Sequence, residues 1–196
     1  MGKLIVLIIV AVLLVSLVLI KTNEISGNAA YDKDEIFIPV TVHLVKEKSS
    51  YGTSKDTEDV FELFEKVNRI WMQGQIIFIV EDVVVSEFSK EEFDKFLEGD
   101  IDLIVTRDDF RGGMINIYFA RFVNANGISF PAQGFTLIGD VTTVNDFRTT
   151  AHELGHLLGL RHVSSRDYLM FKGSNGDILS QEEITLAREN VKRFYA

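Results

Sequence analysis

The chain has 196 residues, a formal net charge of −9 and no cysteine. This length allows one domain with a sizeable core, and the lack of cysteine excludes disulfides, thiolate metal ligands and a cysteine nucleophile. The acidic balance argues against a nucleic-acid partner, because an acidic surface repels phosphate backbones.

The N-terminal part contains an apolar run, residues 4–20, which follows Lys3 and is interrupted only by Ser16. As a helix the run would reach about 26 Å, close to the ~30 Å of a hydrocarbon core. Residues 1–20 are therefore predicted to be a transmembrane anchor, with a cleaved signal peptide as the alternative and residues 27–29 as its candidate cleavage site. The remainder is expected outside the cytoplasm, either membrane-anchored through this helix or secreted. Residues 21–35 follow as a polar tether.

Residues 36–196 are predicted to form the domain proper. A β-branched run over 36–45 and a second apolar run over 76–80 predict strands, and apolar positions recur at helical spacing from Val60 to Trp71. Gly74 is expected to end that helix. Strand, helix and strand in this order predict a parallel pair joined by a right-handed crossover. His43, on the first strand, is interpreted as a hydrogen-bonded structural residue.

The second half begins with a capping box at Ser89, which predicts a short helix as far as Leu97. Residues 114–123 and 135–139 are predicted strands. Between them, residues 128–131 form a short extended stretch whose Pro131 confines it to the edge of a sheet. A second capping box at Ser180 predicts a terminal helix that packs on the domain.

Three of the four histidines fall within residues 152–162. His152 and His156 lie four apart, so a helix places both imidazoles on one face, where they can bind one zinc ion. Glu153 lies beside them and is the candidate general base for a metal-activated water. Gly159 can end the helix in the left-handed conformation, and the reversed chain can bring His162 back as a third ligand. Three protein ligands leave the open position typical of catalytic zinc.

Other interpretations give this segment a different role. The third ligand could be an acidic residue of the terminal helix, Glu182 or Glu183. The domain could also be a catalytically silent, zinc-stabilised peptide-binding module at the cell surface, although the intact Glu153 argues against this. A structural protein with a chance motif is the remaining alternative.

The motif is similar to the signature of the metzincin zinc endopeptidases, and the residues that match are His152-Glu153-x-x-His156-x-x-Gly159-x-x-His162. The resemblance implies an α/β (α+β) zincin domain with a twisted mixed sheet of about five strands, a zinc helix and a C-terminal helix. It also implies one antiparallel edge strand that forms the upper rim of the cleft and pairs with an extended peptide substrate. Residues 127–132 are the candidate for this rim.

The residues after the motif resemble the matrixin branch, because Met170 follows the last histidine closely and matches the family's methionine turn. The resemblance gives Met170 a structural role beneath the metal. Lys172 stands where some metzincins carry a tyrosine, so no such tyrosine is expected to assist here. Matrixins are commonly held inactive by a propeptide cysteine. The absence of cysteine leaves control by location, by a separate protein inhibitor or by a loop such as residues 172–177.

Overall fold

The structure is a computed structural model that describes residues 35–46, 50–121 and 125–194. The predicted membrane anchor, residues 1–20, and all of the predicted tether except Glu35 lie outside the described residues. None of the helices in these three ranges is long and apolar enough to span a bilayer.

Five strands and five helices follow one another in the described chain. The strands are β1 (Ile36–Lys46), β2 (Ile76–Glu87), β3 (Ile115–Ala120), β4 (Gly127–Phe130) and β5 (Phe135–Gly139). The helices are α1 (Thr57–Trp71), α2 (Lys90–Leu97), α3 (Asp102–Val105), α4 (Asp146–Leu157) and α5 (Gln181–Phe194). A short 3₁₀ turn, Met72–Gly74, connects α1 to β2.

The strands form one mixed sheet in the order β2-β1-β3-β5-β4. All neighbouring pairs are parallel except β4 and β5, which are antiparallel. The predicted parallel pair of β1 and β2 is confirmed, and so is an antiparallel edge strand within residues 127–132. This mixed α/β arrangement agrees with the fold expected from the motif.

Apolar side chains cover both faces of the sheet. Along the central strand β3, Ile115, Ile117 and Phe119 join the core that packs against α1, α4 and α5, whereas Tyr118 and Ala120 join a second core beneath α2 and α3. This alternation follows from the two-residue period of a strand. The sheet therefore lies between two layers of helices, and α4, the helix that carries the histidine motif, belongs to the larger core.

The predicted end of the second strand was wrong. The second strand continues from Val80 to Glu87, because an extra residue at Glu81 is accommodated where the register with β1 shifts between Val40 and Thr41. The charged side chains there suit an edge strand that is half exposed. The helical segment that begins with α1 ends at Gly74, as expected, and Gln75 after it adopts the left-handed conformation, with a φ of 54°.

Candidate metal centre

Helix α4 is held in place at both ends. At its start, Asp146 pairs with Lys55 at 2.7 Å. At its end, the Gly159 amide donates to the carbonyl of His156 at 3.0 Å and the Leu160 amide donates to the carbonyl of Gly155 at 2.9 Å. These two bonds form a Schellman motif around Gly159, whose φ is +83°. The helix therefore stops where the sequence predicts, and the chain turns back toward the histidines.

The reversed chain brings the three histidines together. His162 Nε2 lies 3.2 Å from His152 Nε2 and 3.1 Å from His156 Nε2. The opposite ring nitrogens of the two helical histidines face carbonyl oxygens: His152 Nδ1 donates to Leu169 O at 2.7 Å and His156 Nδ1 donates to Leu160 O at 2.9 Å. In their neutral forms, both rings therefore turn a bare Nε2 lone pair toward His162.

These nitrogens fit a zinc ion. Ligands about 2.0–2.1 Å from a tetrahedral zinc lie about 3.3–3.4 Å apart, close to the separations observed here. A hydrogen on His162 Nε2 can satisfy only one of the two helical nitrogens, whereas one zinc ion binds all three. Carbonyl oxygens that bind the opposite nitrogen also fix the tautomer and the ring orientation, as is usual for zinc-binding histidines. Within the described ranges, His152, His156 and His162 are the cluster of metal-binding side chains that meets these requirements.

Burial favours the neutral form of this site. It lowers the pKa of His152 to about 4, although the hydrogen bond to Leu169 opposes the shift. Partial desolvation lowers the pKa of His162, although this residue is exposed overall, and the charges of His156, Lys172 and Arg148 act in the same direction. Neutral imidazoles are the form that binds metal, so the surroundings of these two rings keep them ready to do so near neutral pH.

Glu153 follows the first histidine and is buried between α4 and the edge strand β4. Ser129 donates to its Oε2 at 2.6 Å. A Cβ at Gly127 would stand 2.6 Å from the Glu153 Cγ, so only glycine allows the strand to approach this closely. Burial raises the pKa of Glu153, and the bond from Ser129 opposes the rise. A carboxyl group with a raised pKa beside a metal site is typical of a general base.

The methionine turn lies beneath the histidines. Met170 is fully buried, and a Cβ at Gly155 would stand 2.6 Å from its sulfur, so the turn packs directly on the backbone of α4. Arg148, one turn before His152, secures the same loop. Its Nη2 donates to the carbonyls of Leu169 and Phe171, which flank Met170.

An open cleft of about 1030 Å³ connects the histidines to β4. Its walls include the edge strand on one side, the histidine motif on the other and Lys172 with Gly173 from the loop after the methionine turn. A cleft bounded by a sheet edge can accept an extended chain, because the edge offers unpaired backbone groups.

The structure brings some of the candidate site residues together and places the others elsewhere. His152, Glu153, His156 and His162 come together, whereas Glu183 closes the capping box of α5, with its carboxylate 2.8 Å from the Ser180 amide. Glu182 is exposed on the same helix. Neither acidic residue joins the histidine cluster, so the alternative third ligand is not supported.

The sequence did not predict two contacts of this site: that of Ser129 with Glu153 and that of Arg148 with the methionine turn. Ser129 follows Gly127 by two residues, so strand alternation alone would have placed both on one face of the predicted edge strand. Arg148 precedes His152 by four residues, so helical spacing would have placed it on the face of the histidines. Neither pattern identifies the residue that Ser129 or Arg148 contacts, because each contact depends on packing between elements distant in sequence.

Comparison with known proteins agrees with this geometry. The family model described as Matrixin matches residues 14–194. The fold is similar to archaemetzincin from Methanopyrus kandleri, with 14% identity and a TM-score of 0.57 over 83% of this chain and 99% of that one. It is also similar to metalloproteinase-II from Bacteroides fragilis, with 14% identity and a TM-score of 0.51 over 84% of this chain and 55% of that one. No curated protein matches the sequence. The family match spans nearly the whole chain, and the protein belongs to the matrixin family as a zinc metallopeptidase.

Proposed function

We propose that this zinc peptidase is an endopeptidase in which His152, His156 and His162 hold the metal and Glu153 is the general base. The observation that supports this assignment is the convergence of three Nε2 atoms beside a buried carboxylate. The carboxylate also lies against the edge strand of an open cleft.

Glu153 has one carboxylate oxygen occupied and one available. Oε2 accepts the hydroxyl hydrogen of Ser129, which leaves Oε1 to take a proton from the attacking water and deliver it to the leaving amine. Zinc, when bound, supplies Lewis acidity for the scissile carbonyl and acidifies the attacking water. Met170 contributes packing beneath the ligands, because its sulfur rests against Gly155.

The substrate is proposed to bind as an extended strand along β4. Within the described residues this strand pairs with β5 on one side, and its other edge is available. A peptide added to that edge gains main-chain hydrogen bonds that do not depend on its sequence. It would also pass close to Glu153, since Gly127 and Ser129 touch that side chain.

The test is hydrolysis of a diverse peptide library by the zinc-loaded protein and by Glu153→Gln. The amide cannot accept the proton, so the variant should keep its zinc and lose about 10²–10⁴-fold in rate. Glu182→Gln is the matched control, because it removes an exposed carboxylate outside the histidine cluster and should leave the rate unchanged. Equal rates for wild type and Glu153→Gln would refute the proposed base. A wild-type protein that binds library peptides without cutting them would favour the silent binding module.

The site of action is proposed to be outside the cytoplasm, with the chain anchored through residues 1–20 or secreted after their cleavage. The support is the apolar run of residues 4–20 and the preceding Lys3. Protease added to intact cells should then remove the domain, whereas protection from protease would contradict the proposal. Carbonate washing separates the two forms, because only an anchored chain stays with the membrane. Control by a separate protein inhibitor remains part of this hypothesis.

A further inference from the structure

The edge strand β4 makes two direct contacts with the side chain of Glu153. Gly127 and Ser129 are two residues apart and therefore share one face of the strand. Gly127 leaves room for the Glu153 side chain, since a Cβ there would stand 3.0 Å from its Cδ and 3.1 Å from its Oε1. Ser129 then bonds to the far end of the same side chain. The strand that borders the cleft thus shapes the position of the proposed base.

The hydroxyl of Ser129 has one hydrogen and three oxygen neighbours. Glu153 Oε2 is nearest at 2.6 Å, the Glu153 carbonyl is at 2.9 Å and Thr136 Oγ1 is at 3.4 Å. Thr136 uses its own hydrogen for the carbonyl of Ile128 at 2.9 Å. The short distance and the charge of the carboxylate both favour donation to Oε2.

We infer that Ser129 is a positioning residue for hydrolysis, and that its hydroxyl holds the Glu153 carboxylate in the orientation that accepts a proton. This inference rests on the proposed function. A free glutamate side chain samples several rotamers, and confining it to one lowers the entropy that must be lost in the transition state. Because the bond comes from the edge strand, the base is fixed relative to the strand on which the peptide is proposed to lie.

Neighbouring hydroxyls provide a matched pair of variants. Ser129 and Thr136 face each other across β4 and β5. Thr136 is buried and Ser129 is half-buried, but only Ser129 reaches Glu153. Ser129→Ala removes the bond to the base. Thr136→Val removes a hydroxyl that bonds to β4 and leaves the base untouched. Ser129→Thr restores a hydroxyl at the first position.

The first measurement is kcat and KM on one cleaved peptide. Ser129→Ala should lower kcat about ten-fold, the effect of losing one charge-assisted hydrogen bond, with KM and zinc content unchanged. Ser129→Thr should recover most of kcat, and Thr136→Val should behave as wild type. Equal losses in Ser129→Ala and Thr136→Val would show that the strand merely needs its hydroxyls for stability and would overturn the inference. So would an unchanged kcat in Ser129→Ala.

The second measurement does not depend on hydrolysis. Urea unfolding of the zinc-loaded protein should show a lower midpoint for Ser129→Ala in the wild-type background and little change in a Glu153→Ala background. Equal shifts in both backgrounds would mean that the hydroxyl does not bind the carboxylate, which overturns the inference. If wild type hydrolysed no peptide, the proposed function would fail, and this cycle would separate that failure from the failure of the contact.

Discussion

The described histidines lie in two places. One is buried in the sheet, and three that range from buried to exposed form the candidate metal centre. The two places differ in the partners of their ring nitrogens. His43, in the sheet, is fully buried and has a protein partner at each nitrogen: Nδ1 lies 2.9 Å from Ser86 Oγ, and Nε2 lies 3.0 Å from Asn116 Oδ1. Its ring also stacks on Tyr118, with 4.1 Å between centroids. Both ring nitrogens of this imidazole are therefore hydrogen-bonded within the protein.

At the candidate metal centre, backbone carbonyls bind only one ring nitrogen of each helical histidine. His152 and His156 each bind a carbonyl through Nδ1, and each turns Nε2 toward the Nε2 of His162. The difference teaches that burial alone does not mark a ligand. A structural histidine has donors and acceptors around both nitrogens, whereas a metal-binding histidine keeps one nitrogen for the ion.

Removing a proposed zinc ligand should have the largest effect and should distinguish the two histidine sites. His162→Ala is expected to lower zinc affinity more than ~100-fold, beyond the 10–100-fold typical of outer-shell changes, and to abolish peptidase activity. Metal analysis after dialysis measures the zinc content. His43→Leu should keep one zinc per chain, and so should Glu182→Ala and Glu183→Ala. Full zinc occupancy in His162→Ala would contradict the assignment of the third ligand.

Replacing Arg148 tests whether hydrogen bonds around the histidine cluster affect zinc binding. Its guanidinium donates to three loop carbonyls, and the carbonyl of Leu169 also accepts the hydrogen bond from His152. Arg148→Met should therefore weaken zinc binding about 10–100-fold. Competition with a zinc chelator provides the measurement. Arg188→Met is the control, because Arg188 also donates to a carbonyl, that of Gly74 at 2.7 Å, outside the metal centre. A similar loss in both variants would mean a general stability effect.

His43→Leu tests the structural histidine, because this change should lower the unfolding free energy without lowering zinc affinity. The change removes one hydrogen bond from each of Ser86 and Asn116. Both residues keep other partners, so the loss should cost about 2 kcal/mol of unfolding free energy. Zinc affinity should stay at the wild-type value. Chemical denaturation with the metal bound measures the first quantity, and chelator competition measures the second. A variant that loses zinc but keeps its stability would reverse the comparison.

The smallest effect concerns pH. Burial lowers the pKa of His43, and Arg111 and Arg107 act in the same direction, while the bond to Asn116 and the charge of Asp109 oppose the shift. Because the folded pKa lies below the unfolded value of about 6.5, the unfolded chain binds more protons as pH falls below that value. Stability from neutral His43 is thus complete above about pH 6.5 and decreases below it.

Comparing unfolding free energies at several pH values between about 7 and 5 checks this expectation. His43→Leu should show a shallower decrease than wild type, because it lacks the titrating group. Parallel curves for the two proteins would show that other groups cause the acid sensitivity.

Sequence patterns predicted much of this arrangement. The spacing of His152, His156 and His162 and the position of Gly159 were enough to predict the histidine cluster, because helix geometry and a left-handed C-terminal turn are local properties. The strand over residues 135–139 was predicted with its observed bounds. Local patterns are determined by neighbours in sequence, so they can be recognised without the fold.

The contacts that surround the cluster were not predictable in this way. Ser129 and Glu153 are 24 residues apart, and Arg148 reaches carbonyls 21 to 28 residues away. Such partners meet only after β4 and the methionine turn have packed on α4. The second half of β2 was missed for a similar reason, because Glu81 interrupts the apolar pattern while pairing with β1 continues beyond it.

Zinc titration of the metal-free protein, followed by both bound metal and peptide hydrolysis, tests the central claim most directly. The histidine cluster predicts that occupancy and rate rise together and reach a plateau at one zinc per chain, and that His162→Ala shows neither rise. Full hydrolysis by the metal-free protein would contradict the account, as would a plateau of activity in His162→Ala equal to that of wild type.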